Sequence, residues 1–226
     1  MLYVANSEET KDKLLEFTIN EHDILVSNNA APNYFMQTNT SKTLNKILVV
    51  SNHVPPEIFQ AAVLLQQKNI QVHFLGMDFG NSHRVTPQVI SKYDAIITIG
   101  KTVQYAILSQ KPVYVYDHFG GCGYLSADNF EKARYYNFSG RGFYQKPAET
   151  IAKEIMQGFD QALDFMLSFD DTNRFALDKF VNRILNTANK ATIDVRSSYH
   201  FKASYPICEK ISEYYQMLNP NENLPV

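Results

Sequence analysis

The sequence predicts an α/β fold: a Rossmann-like parallel sheet with helices on both faces, followed by a helical C-terminal region. A short run rich in β-branched and apolar residues, typical of a strand buried on both faces, occurs at 46–51. Further runs that predict strands occur at 71–76, 95–100 and 112–117. Segments with helical character separate these runs, at 55–69, 86–93 and 102–110. Strands that alternate with helices through short connections indicate βαβ units and therefore a parallel sheet.

The segment before the first of these strands is less regular. Ser7 precedes a run with acidic residues in its first turn, which predicts an N-cap and a short helix. Asp23–Val26 is predicted to be a short strand. Residues 28–45 are rich in Asn, Thr, Pro and Ser, which is typical of a linker.

Beyond the sheet the pattern becomes helical. A helix capped by Ser126 is predicted over 126–136, two more between 148 and 189, and another within 202–226. These elements suggest three parts, which are an interdomain-like segment and linker (1–45), a Rossmann-like domain (46–160) and a helical extension (161–226). The apolar stripes of the late helices indicate packing within the fold, and a homo-oligomer interface remains an alternative.

The composition of the chain argues against several classes of protein. A formal net charge of −2 argues against a dedicated nucleic-acid binder. The two cysteines are far apart, which disfavours a disulfide framework or a zinc site. No apolar run approaches the roughly 20 residues of a transmembrane segment, and the N-terminus lacks a signal-peptide pattern. We therefore expect a cytoplasmic protein, or one held at the inner face of the membrane through a partner.

The turn after the third predicted sheet strand is the first candidate site. Gly100 permits close backbone approach, Lys101 adds a positive charge, and a helix that begins near Thr102 offers free amides. Together these features suit a diphosphate. An ordinary turn with a solvated lysine is the alternative, and the spacing of a Walker A loop is absent.

Two more loops follow predicted strands. The first is glycine-rich and lets the backbone approach a ligand, with aromatic side chains available to pack on a flat ring. Its residues are Asp117, His118, Phe119, Gly120, Gly121, Cys122, Gly123 and Tyr124. The second runs from Ser51 to His53, where the imidazole suits a phosphate contact or proton transfer. Arg141, between two glycines, is a further candidate for an anion contact. A simple turn, a structural histidine and a solvated arginine are the respective alternatives.

These residues resemble a known family. The segments KILVVSNHVPPEIFQAA, DAIITIGKTVQYAILSQKPVYVYDHFGGCGYLSADNF and YYNFSGRG are similar to the C-terminal, donor-binding domain of bacterial GT-B fold glycosyltransferases of the "glycosyl transferase group 1" type. The first segment, YVANSEETKDKLLEFTINEHDILVSNNAAPNYF, resembles the passage from the N-terminal into the C-terminal domain of that family. The resemblance covers about residues 1–160.

The resemblance implies a retaining transfer of sugar from a nucleotide-diphospho-sugar, the donor substrate, to an acceptor in surface polysaccharide or glycoconjugate synthesis. It implies no separate cofactor and no metal. Lys101 and His53 are the implied catalytic residues, with positive charge stabilising the leaving diphosphate. The implied nucleotide-sugar contacts are Gly100, Lys101, Thr102, Gln104, Tyr105 and the segment Asp117–Tyr124.

Two departures from the family matter. Many relatives have a ribose-binding glutamate where this sequence has Tyr105, with Gln104 beside it. The acceptor-binding domain is also not recognisable here, so a separate domain or subunit is the implied partner. A non-catalytic nucleotide-binding or assembly module, or one subunit of a split glycosyltransferase, is the alternative.

Overall fold

A computed structural model describes residues 2–36 and 40–190. The chain divides into two units, residues 1–186 and 187–226. The first unit holds every element discussed below, apart from the last turn of the final helix. The helix predicted within 202–226 lies outside the described residues.

A five-stranded sheet forms the centre of the first unit. Its strands are β3 (Lys46–Val50), β4 (Gln71–Leu75), β5 (Ala95–Thr98), β6 (Val113–Asp117) and β7 (Gly120–Tyr124). The order is β4-β3-β5-β6-β7, with the first four parallel and β7 antiparallel to β6. Every residue of β5 and β6 is buried, as expected for central strands covered on both faces. The predicted α/β class and mostly parallel sheet are confirmed.

Helices cover both faces of this sheet, as predicted. They are α2 (Pro56–Gln66), α3 (Pro87–Ile90), α4 (Lys101–Leu108), α5 (Phe130–Tyr135) and α6 (Ala148–Ser168). Alternate strand residues face opposite sides. Ile47 and Val49 pack in a core that contains residues of α2 and α6, whereas Leu48 packs in a core that contains residues of α4 and α5. Helix α6 continues across residue 160.

One predicted helix start is wrong. Helix α5 begins at Phe130 with Asn129 at the cap position, not at Ser126. The Asn129 side chain accepts a hydrogen bond from the Ser126 amide at 3.0 Å. Residues 126–129 therefore form a hydrogen-bonded turn before the helix. Ser126, the predicted N-cap, belongs to this turn.

The N-terminal residues form a small βαβ unit. Strands β1 (Tyr3–Ala5) and β2 (Ile24–Val26) pair in parallel and are joined by helix α1 (Glu8–Glu16). Ser7 is the predicted N-cap, and its hydroxyl accepts from the Thr10 amide at 3.2 Å. Strand β1 is missed by sequence reasoning, because three residues are too few to show a period.

The first part of the predicted linker packs on the main body. The Ala31 amide donates to the Phe175 carbonyl at 2.7 Å, and the Leu177 amide donates to the Ala31 carbonyl at 2.9 Å. The ring of Phe35 stacks on Tyr105, with centroids 4.1 Å apart. Helix α7 (Leu177–Lys190) follows, which confirms the helical C-terminal region. None of the described helices is long and apolar enough to cross a membrane.

Candidate functional site

A cleft of about 340 Å³ opens at the carboxyl ends of β3, β5 and β6. It is lined by Val50, Ser51, Asn52, His53, Ile99, Asp117 and His118. Strand β4 lies on one side of β3 and strand β5 on the other, so the chain reverses its direction of winding at β3. Open α/β sheets bind ligands at such a switch point. The cleft therefore occupies the position where this fold most often holds a ligand.

One wall of the cleft is the loop after β3. The Ser51 hydroxyl donates to the His53 carbonyl at 2.9 Å, which closes a tight turn. The imidazole Nδ1 of His53 lies 3.2 Å from Oδ1 of Asp78, and the other oxygen of that carboxylate accepts from the Val54 amide at 2.9 Å. Sequence reasoning missed Asp78, because it follows a different strand and reaches His53 only through the fold.

Close backbone packing brings Asp78 to this position. A Cβ on Gly76 would lie 1.8 Å from the Ser51 carbonyl oxygen, so only glycine permits this approach. The Asp78 amide donates to the Asn52 carbonyl at 3.2 Å. The loops after β3 and β4 are thus joined by both backbone and side-chain contacts.

The opposite wall is formed by the end of β6. Asp117 is the last residue of that strand and is 7% exposed. Its Oδ1 lies 3.4 Å from Nδ1 of His118. The His118 ring contacts Phe119, with centroids 4.0 Å apart, and both side chains are exposed at the tip of the β6–β7 turn. Three residues of the predicted site, His53, Asp117 and His118, therefore line one cleft.

The charges of the cleft differ from those expected for a lysine-based diphosphate site. Among the residues that the structure describes, its lining includes one carboxylate and two imidazoles, and neither lysine nor arginine. Lys101 instead donates from Nζ to the carbonyls of Asn29, at 2.7 Å, and Ala30. Burial lowers the pKa of Lys101. The ammonium group holds the N-terminal segment against α4 rather than lining the cleft.

The turn between β5 and α4 has a backbone conformation that favours glycine, as its sequence predicts. Gly100 has a φ of +57° and a ψ of −133°, a combination that side chains disfavour. Its amide donates to the Phe138 carbonyl at 3.1 Å. Helix α4 then begins at Lys101, with Thr102 half-buried in its first turn. The amides of Lys101 and Thr102 lie in the first turn of this helix, where backbone amides have no acceptor within the helix.

Gln104 and Tyr105 face the protein interior. Gln104 is completely buried, and neither atom of its amide group has a hydrogen-bond partner among the described residues. Tyr105 stacks on Phe35, and burial raises its pKa. Neither residue lines the cleft, so the structure does not bring them together with His53 and Asp117.

The predicted loop from Asp117 to Tyr124 is wrong in its second half, because Gly120, Gly121, Cys122, Gly123 and Tyr124 form strand β7. The glycines there serve packing. A Cβ on Gly120 would lie 2.2 Å from the Tyr144 backbone, and one on Gly121 would lie 1.9 Å from the Val115 carbonyl oxygen. The antiparallel strand runs away from the cleft, so Tyr124 pairs with Tyr114 at the far end of β6.

Arg141, the remaining candidate, forms an ion pair with Glu9 of α1. Arg134 similarly contacts Glu8, at 3.0 Å, and Asn28, at 3.1 Å. These arginines join the small βαβ unit to the main body. Among the residues that the structure describes, no group of three or more His, Cys, Asp or Glu side chains is arranged to hold a metal ion.

Comparison with known proteins identifies no family for this chain. No protein-family model matches the sequence, and no curated protein matches it.

Proposed function

We propose that this chain is the donor-binding half of a glycosyltransferase that takes a nucleotide-diphospho-sugar as substrate. In this proposal the sugar is transferred to an acceptor in polysaccharide or glycoconjugate synthesis. The cleft at the carboxyl ends of β3, β5 and β6 is the observation that carries the proposal, because it combines the switch point of the sheet with polar side chains from two loops. The resemblance of the sequence to GT-B donor domains supplies the substrate class.

The diphosphate in this proposal lies against the first turn of α4. Ile99, which lines the cleft, is separated from the first residue of that helix by Gly100 alone, so the amides of Lys101 and Thr102 follow the cleft closely in the chain. Helix N-termini bind phosphates through such amides and through the helix dipole. The role proposed for Lys101 changes accordingly: its side chain supports the turn, and its backbone contributes the phosphate contact.

An acceptor-binding domain or subunit is the proposed partner. In the small βαβ unit, Ala5, Ile24 and Val26 pack with leucines of α1, whereas Val4 and Leu25 are paired on the other face of the two-stranded sheet. Val4 is 52% exposed. Parallel sheets are usually covered on both faces, and two strands alone are marginally stable. This unit therefore suits extension by strands and a helix of a second domain.

Calorimetric titration with UDP, GDP and their sugar derivatives tests the proposal. We expect saturable binding of at least one nucleotide. His53→Ala should weaken it by roughly 2- to 10-fold, the loss of one uncharged hydrogen bond. His22→Ala is the matched control, because His22 is an exposed histidine away from the cleft. Folded protein that binds none of these nucleotides would contradict the proposal.

A non-catalytic nucleotide-binding or assembly module is the second candidate. It is favoured by one observation: the three side chains that the resemblance assigns to the nucleotide have other contacts. Lys101 donates to a carbonyl of the N-terminal segment, Gln104 is buried, and Tyr105 stacks on Phe35. Sugar transfer by the purified chain alone would exclude this candidate. Transfer only after addition of a second polypeptide would identify a split enzyme.

A further inference from the structure

We infer that Asp78 is a positioning residue: it holds His53 with its proton on Nδ1, so that Nε2 is presented to the cleft as an acceptor for a ligand hydroxyl group. The identity of the ligand rests on the proposed function, whereas the arrangement of the two side chains does not.

The carboxylate of Asp78 is fixed from two sides. One oxygen lies 3.2 Å from His53 Nδ1, and the other accepts from the Val54 amide at 2.9 Å. Its own backbone amide donates to the Asn52 carbonyl. The carboxylate therefore bridges the histidine ring and the backbone that carries it, which restricts the orientation of the ring.

This geometry determines the tautomer of the neutral ring. An ionised carboxylate only accepts hydrogen bonds, so the nitrogen that faces it must carry the proton. In a neutral imidazole the other nitrogen then has a free lone pair. The His53 side chain is 82% exposed and lines the cleft, so this lone pair is accessible to a ligand.

The opposite wall of the cleft also presents a hydrogen-bond acceptor. Asp117 contributes a buried carboxylate, which is also an acceptor. A ligand group that contacts the Asp117 carboxylate or Nε2 of His53 must therefore donate a hydrogen bond. The hydroxyls of a sugar or a ribose do so, whereas ionised phosphate oxygens only accept. We therefore assign this cleft to the hydroxyl-bearing part of the ligand rather than to its phosphates.

Nitrogen-15 NMR of the imidazole groups tests the tautomer without any ligand. In the full chain at a pH where His53 is neutral, we expect the Nδ1–H form. Asp78→Asn preserves shape and an oxygen for the Val54 amide, but turns an NH₂ group toward the ring, so we expect a switch to the Nε2–H form. Asp160→Asn, an exposed change on α6, is the matched control and should leave the spectrum unchanged. An Nε2–H form in the unaltered protein would overturn the inference.

Titration with UDP, UDP-glucose, GDP and GDP-mannose tests the acceptor role. A shift of the His53 Nε2 resonance with UDP or GDP indicates a ribose hydroxyl, and one seen only with the sugar nucleotides indicates a sugar hydroxyl. Asp78→Asn should weaken binding by about fivefold. Binding that leaves Nε2 unchanged would overturn the inference. If none of the four binds, the proposed function fails, and the unliganded spectra still decide the tautomer.

Discussion

Replacement of Lys101 by methionine separates a structural from a direct binding role for this residue. The substitution keeps most of the apolar stem and removes the ammonium group. In the folded protein that group donates to the carbonyls of Asn29 and Ala30, which belong to the segment packed over α4. We therefore expect Lys101→Met to destabilise the attachment of this segment.

The two hydrogen bonds of Lys101 determine how much this substitution should lower the free energy of unfolding. Hydrogen bonds from charged groups contribute about 1.5–3 kcal/mol each. Lys101 is partly exposed, so water replaces some of the lost interaction, and we expect a decrease of about 1–2 kcal/mol in the free energy of unfolding for the pair. For a chain of this size that corresponds to roughly 2–8 °C in Tm. Urea unfolding measures the total, and hydrogen exchange at the Ala31 amide, which donates to Phe175, reports the local loosening.

The matched control is Lys153→Met, an exposed lysine on α6, which should leave stability within about 0.5 kcal/mol. Nucleotide binding is measured on the same variants. A direct phosphate contact predicts weaker binding with unchanged unfolding. If Lys101→Met behaves in that way, the structural role argued for its ammonium group is refuted.

Other substitutions test further features. Gln104→Met should raise the free energy of unfolding by about 1–3 kcal/mol, since it removes a buried amide that has no partner among the described residues; a loss of stability in urea unfolding would show that the amide is paired. Gly121→Ala should lower the free energy of unfolding by about 3 kcal/mol, the upper end of the usual cost of overpacking, because the new Cβ would lie 1.9 Å from a β6 carbonyl oxygen. Gly80→Ala meets no atom of the described residues within 4 Å and should lower the free energy of unfolding less; equal losses would contradict the packing argument. In a Cys208→Ser background, Cys122 should react with a disulfide reagent roughly a thousandfold more slowly at pH 8 than a free thiol, because burial raises its pKa to about 12. Its rate should rise about tenfold per pH unit, and a rate independent of pH would refute this explanation.

Much of the fold can be predicted from the local pattern of apolar residues and prolines in the sequence. Strands β3, β4, β5 and β6 were predicted within two residues at each end. The central strands β3, β5 and β6 are apolar at nearly every position, as expected for parallel strands inside a covered sheet, whereas the edge strand β4 has exposed Gln71 and His73. The prolines at 55–56 correctly indicated the start of α2. Strand β7 was not predicted, because a run of three glycines within four residues is normally disfavoured in a strand.

The candidate site was predicted only in part. His53, Asp117 and His118 each follow or end a strand, and parallel strands bring their carboxyl ends to one edge, so sequence order sufficed to find them. Asp78 also follows a parallel strand, so strand order places its loop at the same edge, but sequence spacing gives no signal of its side-chain contact with His53.

The sequence by itself determined the α/β class, the order of most elements and the edge of the sheet where polar loops gather. These depend on hydrophobic period and chain direction, which are local properties. Only the tertiary structure decided which polar groups face the cleft and which support the scaffold. The ammonium group of Lys101 and the glycines of β7 satisfy contacts with residues distant in sequence, and such contacts exist only once the chain has packed.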